Sequence, residues 1–344
     1  MDIEFHYHMT YLIAAKAGFS PEDASVLAYA SQYVDDNDMK LEVDKDNEDT
    51  KYRNYISQTM NILKPKEKLF RIYPLFHFIP GDPQCKEAWR KDGKMHWLNT
   101  TPDSKNANLI MDAALATGNL YRIGIACHAY ADTWAHQNFV GYYEDYNAMK
   151  SPLQRVAPNI GHADAGHNPD WPALVWRDKR LTNERIDNKA KFLEAASRML
   201  EVLARYNDSQ ISDEEIKQRK TALKADLSKA IGEKDQKNKH KDKRIKRYIS
   251  LSQSPAYGST KMPKYDEDSW IMDAIAEDVR GLNDRSDNIL ARYDPFTDEY
   301  TWKDRQTYQS THWWQFQEAV KAHQDEAWAL LEGRSFSTLK LASL

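Results

Sequence analysis

The chain of 344 residues has two cysteines, Cys85 and Cys127, and neither stands in a CxxC pair. That excludes a disulfide framework. A reducing compartment is the simpler expectation, because secreted domains of this kind use more disulfides. No basic segment precedes an apolar run at the start. MDIEFHYHMTYLIAAKAGFS offers only LIAAKAG, interrupted by Lys16, so no signal peptide is read. No stretch approaches the roughly 18 apolar residues that a membrane span needs. Neither sign of charge dominates: the formal net charge is -4, which gives no strong nucleic-acid or membrane-surface signal. Internal repeats are absent. The expected location is cytoplasmic, with export by another route left open. Apolar residues make up 41% of the chain, enough for a sizeable core.

The pattern predicts a mainly α protein: one helical metal-binding domain over 1–344, with a charged, flexible or solvated insertion at 208–250. Thr10 to Ala17 has apolar residues at helical spacing and Gly18 as a stop. Ser20-Pro21-Glu22-Asp23 reads as a cap and first turn of a second helix, which delivers Asp35 and Asp36 at its C-terminal end. Carboxylates there oppose the helix dipole unless a cation compensates. Residues 36–70 read as loop with a short strand or hairpin. FRIYPLFHFIPGDP (70–83) reads as an irregular buried segment carrying His77. Helix is expected from Asp103 to about Tyr142, a long loop over 150–182, and helices at Asn183–Tyr206, Glu267–Leu290 and Asp304–Gly333. The basic run 232–247 reads as a solvated face.

Most of the 11 histidines are grouped. HAYADTWAH places His128, Asp132 and His136 four residues apart, about 40° of drift per step on a helix, so all three share one face. That face lies in the most apolar stretch of the protein. Burying two imidazoles and a carboxylate is costly unless they are paired or bind a metal. Zinc, manganese and iron accept such ligands. The alternative is a hydrogen-bonded core network around Asp132. GHADAGHNPD adds His162, Asp164, His167 and Asp170 in a loop. The start adds Asp2 and either His6 or His8, which on a strand point to opposite sides; His6 is preferred, because the helical pattern begins after His8. Asp35, Asp36 and His77 complete the set. His96, His240, His312 and His323 carry no such pattern.

Taken in order, these residues resemble the zinc-dependent phospholipase C and single-strand nuclease superfamily. QYVDDN, FHFIPGD, CHAYADTWAHQNFVGY and GHADAGHNPD look closer still to a bacterial family of uncharacterised proteins related to it. The likeness covers about residues 1–175 by motif. It implies a helical bundle holding two or three Zn2+ ions that hydrolyse phosphate esters. It also implies that Asp132 bridges two metals, that His77 and Asp35 or Asp36 join His128 on the first, and that His6 serves the second. His136, His162 and either His167 or Asp170 would form the third. The chain departs from the superfamily in three ways. Met1 stands where the superfamily uses the amino group of a processed residue, the gap from Asp132 to His136 is short, and the final H-x3-E is replaced by H-x4-H and Asp170.

The implied substrate is a small phosphate ester or a lipid-like molecule. Asp35 or Asp36, whichever is not committed to metal, would orient the attacking water or act as base. Tyr130, Thr133 and Gln137 are expected around the ligands. Three rivals stand beside this reading: a non-heme iron or manganese enzyme, a metal-stabilised binding or effector protein without turnover, and a metal-free polar core.

Overall fold

Gly18, at φ +103°, takes the left-handed conformation that ends helix α1 (Thr10–Ala17), and its N–H bonds back to Ala14 and Ala15. Ser20 then opens α2 (Pro21–Asp36), its hydroxyl accepting from the Asp23 N–H at 3.0 Å. The computed structural model describes residues 1–59, 69–149, 160–279 and 298–337. The start of the chain is helical, not extended. Glu4–Met9 forms a π-helical turn that runs straight into α1. His6 and His8 diverge there too, since two residues on a helix turn by roughly 200°.

The long helix expected from Asp103 to Tyr142 is two helices, α3 (Lys105–Ala116) and α4 (Leu120–Ala135). Gly118 at φ +65° breaks them, and Asn119 caps the second by accepting from the N–H groups of Tyr121 and Arg122. Every residue of α4 from Arg122 to Ala135 is buried. The helix is the centre of the protein and packs against α2, α3, α5 (Asn188–Asn207) and α9 (His312–Glu332). Gly124 lets α2 approach closely. A Cβ there would stand 2.6 Å from the Leu27 carbonyl oxygen and 2.7 Å from Ala30 Cβ. Close contact of α2 with α4 brings Ser31 and Asp35 over His128.

The charged segment is ordered by an apolar stripe. It forms α6 (Asp213–Ile231) and α7 (Lys241–Ser252), with Ile216, Leu223, Leu227 and Tyr248 buried in the same cluster as Leu12 and Leu200. A helix from Glu267 to Leu290 does not form. A short α8 (Ser269–Ala274) gives way to strand β5 (Ile275–Val279), and the rest of that expectation lies outside the described residues. The last helix starts at His312, where Thr311 caps it, and not at Asp304.

Strands are few and short. β1 (Glu42–Val43) and β2 (Tyr52–Arg53) form the expected hairpin. It joins β6 (Asp298–Trp302) and β5 in the order β2-β1-β6-β5, with β1 parallel to β6 and the other pairs antiparallel. β3 (Val175–Arg177) lies in the stretch expected to be loop, but its partner β4 (Arg185–Asp187) takes the place of the first turn of the helix expected from Asn183, which starts only at Asn188, where Asp187 caps it. The protein is thus mainly α with long connections. No helix among the described residues is long and apolar enough to cross a membrane.

Candidate metal centre

His128 and Asp132 sit on α4, and His136 caps its C-terminal end. Around them the fold gathers the π-helical start (His6), the end of α2 (Asp35), a second π-helical turn over Tyr73–His77 (His77) and the loop 160–170 (His162, Asp170). Among the described residues three groups could hold a metal ion: His77, His128 and Asp132; His6, Asp35 and His128; His136, His162 and Asp170.

The histidine tautomers follow from backbone carbonyls, which only accept. His128 Nδ1 donates to Ser31 O at 2.7 Å, and His77 Nε2 donates to Ser57 O at 3.0 Å. His136 Nδ1 donates to His77 O at 2.7 Å, and His162 Nδ1 to Gly166 O at 2.9 Å. In neutral imidazoles the other nitrogen is then a bare acceptor. All four bare nitrogens face inward. His128 Nε2 and His77 Nδ1 lie 3.1 Å apart, and Asp132 Oδ2 lies 3.3 Å from each. Three acceptors that close in a buried site repel one another unless a proton or a metal cation stands among them.

The third group has the same character. Asp170 Oδ1 has no hydrogen bond, yet His136 Nε2 lies at 3.6 Å, His162 Nε2 at 3.7 Å and the Met1 amine at 3.7 Å. Ligands about 2.0–2.2 Å from a tetrahedral zinc lie roughly 3.3–3.6 Å from each other. These spacings therefore suit an ion better than direct hydrogen bonds. His6 is fully buried; its Nδ1 has no partner, its Nε2 lies 3.2 Å from Asp132 Oδ1, and it stacks on His128 at 3.8 Å between centroids. A buried imidazole nitrogen with no partner is unfavourable without a ligand to take.

Asp132 divides its two oxygens. Oδ1 meets the Met1 amine and His6; Oδ2 meets His77, His128 and His136. Burial alone would raise its pKa, but His136, the amine and His128 outweigh that and hold the carboxyl well below its usual range. Asp170 is likewise held low against burial by His162 and His136. In the metal-free chain positive charge collects here in compensation. Burial opposes the ammonium of Met1, yet Asp132, Asp170 and Asp35 lift its pKa to about 10. Burial also opposes the imidazolium of His128, and Asp132 and Asp35 again raise it. His136 moves the other way, down to about 4, mainly through burial.

The structure separates several candidates. Asp35 Oδ1 approaches His128 at 3.7 Å and His77 at 3.8 Å. Asp36 points away, accepting from Gln32 and from Tyr265, and does not join these groups. One step along a helix turns the side chain by about 100°, so both cannot face α4. His8 Nδ1 meets Met262 Sδ at 3.2 Å, outside the centre. His167 is 77% exposed and stacks on Trp171, while Asp170 occupies the place between His136 and His162. Asp164 bonds the Met149 N–H. Tyr130 donates to Asp103 and Thr133 to the Tyr130 carbonyl, so neither supports a ligand. Backbone carbonyls do that instead, and they carry no sequence signal. His96, His312 and His323 have partners elsewhere, and His240 lies ahead of α7.

The chain belongs to a family of unknown function. The matching family model is described as "Family of unknown function (DUF6765)" and covers residues 1–331, which include every residue of the centre. No curated protein and no solved structure matches the chain.

Proposed function

We propose that the protein is a metal-dependent hydrolase of phosphate esters, holding two or three zinc ions at this centre. The convergence of imidazole nitrogens on Asp132, with the unbonded Asp170 Oδ1 beyond His136, carries the reading. His77, His128 and Asp132, with Asp35 at the edge, would hold one ion; His6, Asp132 and the Met1 amine a second; His136, His162 and Asp170 a third. The imidazole-rich set with carboxylates favours zinc over magnesium or calcium, which prefer oxygen. Bound zinc would supply Lewis acidity to a phosphoryl oxygen and make water a nucleophile at neutral pH.

The chain's own groups provide the rest. Asp35 is the most exposed carboxylate of the centre, at 28% against 1% for Asp132 and 11% for Asp170. His162, 21% exposed, is the other partly uncovered side chain of the centre. In the metal-free chain burial raises the pKa of Asp35, partly countered by His128 and His77; its carboxylate, the least covered of the three, would take the proton of the attacking water.

The test is elemental analysis of the purified protein together with hydrolysis of bis(4-nitrophenyl) phosphate. Zinc at two or more per chain with turnover supports the reading. Zinc without turnover on any phosphate ester leaves a metal-stabilised protein, and iron or manganese moves it to redox chemistry. In the same assay Asp35→Asn is expected to lower kcat by about 100- to 10,000-fold. A wild-type rate in that variant removes Asp35 from the proton transfer.

A further expectation concerns pH. An amine with a pKa of about 10 carries a proton at neutral pH and must lose it to bind metal. Zinc affinity at that position should rise about tenfold per pH unit between roughly pH 6.5 and 8.5. Calorimetric titration in buffers of differing ionisation enthalpy counts the released protons. Affinity independent of pH would take the amine out of the ligand set.

A further inference from the structure

Glu4, two residues before His6, is fully buried, and its partner comes from the charged segment of the chain. Arg244 on α7 grips it with two parallel bonds, Nε to Oε2 and Nη2 to Oε1, both 2.8 Å. Tyr248, one turn further, donates to Oε2 at 3.2 Å. Arg244 is itself held by Asp235, at 3.0 Å, and by Asn238. Beside it Lys241 pairs with Asp2 at 3.1 Å, and Asp2 in turn accepts the Glu4 N–H through Oδ1 at 3.0 Å and the Phe5 and His6 N–H groups through its carbonyl. Residues 2 and 4 are thus fixed from one side, while the Met1 amine and His6 reach Asp132.

A buried ion pair contributes little net stability, because desolvation offsets the attraction. What the planar guanidinium adds is a fixed geometry that an ammonium does not reproduce. The held element needs it: a π-helical turn is an uncommon conformation with weak intrinsic preference. We propose that Arg244 is a positioning residue for the metal centre, setting the N-terminal turn so that His6 and the Met1 amine face Asp132. The basic run 232–247 thereby serves the centre and is no mere solvated face. This inference rests on the metal reading of the site.

The test compares wild type, Arg244→Lys, and the paired apolar replacement Glu4→Leu with Arg244→Met. Native mass spectrometry counts zinc, and hydrogen–deuterium exchange of the zinc-free chains follows the peptide over residues 1–12. In Arg244→Lys one zinc should bind about 10- to 100-fold more weakly, as when the support of a ligand is lost. The ion at His136, His162 and Asp170 should remain. The 1–12 peptide should exchange faster while α4 stays protected. Wild-type zinc binding and exchange in folded Arg244→Lys overturn the proposal. If that variant does not fold, the same result in the apolar pair overturns it. If the wild type binds no zinc, the metal reading falls, and exchange at residues 1–12 alone decides whether Arg244 sets the turn.

Discussion

Asp132→Asn is expected to lose at least one zinc per chain and nearly all hydrolytic activity. The side chain is 1% exposed and is shared among five nitrogens, those of the Met1 amine, His6, His77, His128 and His136. Asparagine keeps its volume and removes its charge, so packing is preserved and the electrostatics are not. Loss of a residue that merely supports a ligand weakens metal binding by about 10- to 100-fold. Loss of a carboxylate shared by two groups should cost at least about 100-fold at both. The fold is affected as well. In metal-free wild type the ammonium of Met1 is compensated by Asp132, and removing one partner of a buried pair costs about 3–5 kcal/mol. The variant should therefore melt lower than wild type even in chelator. Elemental analysis and calorimetry check both halves. Unchanged zinc content in Asp132→Asn would refute the bridging role. Unchanged melting in chelator would show that the amine pair contributes nothing.

Removal of metal from the wild-type chain should have the second large effect. Stripped of ions, the centre leaves acceptors facing acceptors, relieved only in part by the protons that His128 and Met1 retain. A ligand present at a thousand times its Kd stabilises a fold by about 4 kcal/mol. Unfolding entropy of about 2.1 cal/mol/K per residue makes roughly 0.7 kcal/mol/K for a chain of this length. Each ion then raises Tm by about 6 °C, so chelation of two ions should lower it by 10 °C or more. The loosening should concentrate in the N-terminal turn and the 160–170 loop, which reach the centre from outside α4. Scanning calorimetry with and without a strong chelator measures the shift. Coincident melting curves would mean that no ion is held tightly, and the polar-network alternative would regain its place.

How much of this was legible in the sequence depends on the element. H-x3-D-x3-H could be read directly, because helical periodicity turns a spacing of four into a shared face, and the apolar flanks placed that face inside. The caps at Ser20 and Asn119 and the stop at Gly18 are local chemistry: Ser20 and Gly18 were legible, while the break at Gly118-Asn119 was passed over under a strongly apolar pattern. The β5–β6 pairing was missed because β5 falls inside the stretch read as a helix from Glu267 to Leu290, and both strands alternate too briefly to reveal themselves. The charged segment looked solvated because charged residues outnumber the few apolar ones that define its buried face; only packing against α1 and α5 revealed the stripe.

By itself the sequence determined which residue types gather, that helices carry most of them, and that His128 and Asp132 share a buried face. Those properties depend on spacing along one chain. Only the tertiary structure places Asp35 and not Asp36, His6 and not His8, and Asp170 and not His167 in the cluster. Each choice turns on which side of a turn meets α4, and that orientation is set by contacts between distant segments: Gly124 under α2, Arg244 behind Glu4, and the carbonyls of Ser31, Ser57 and Gly166 that fix each imidazole.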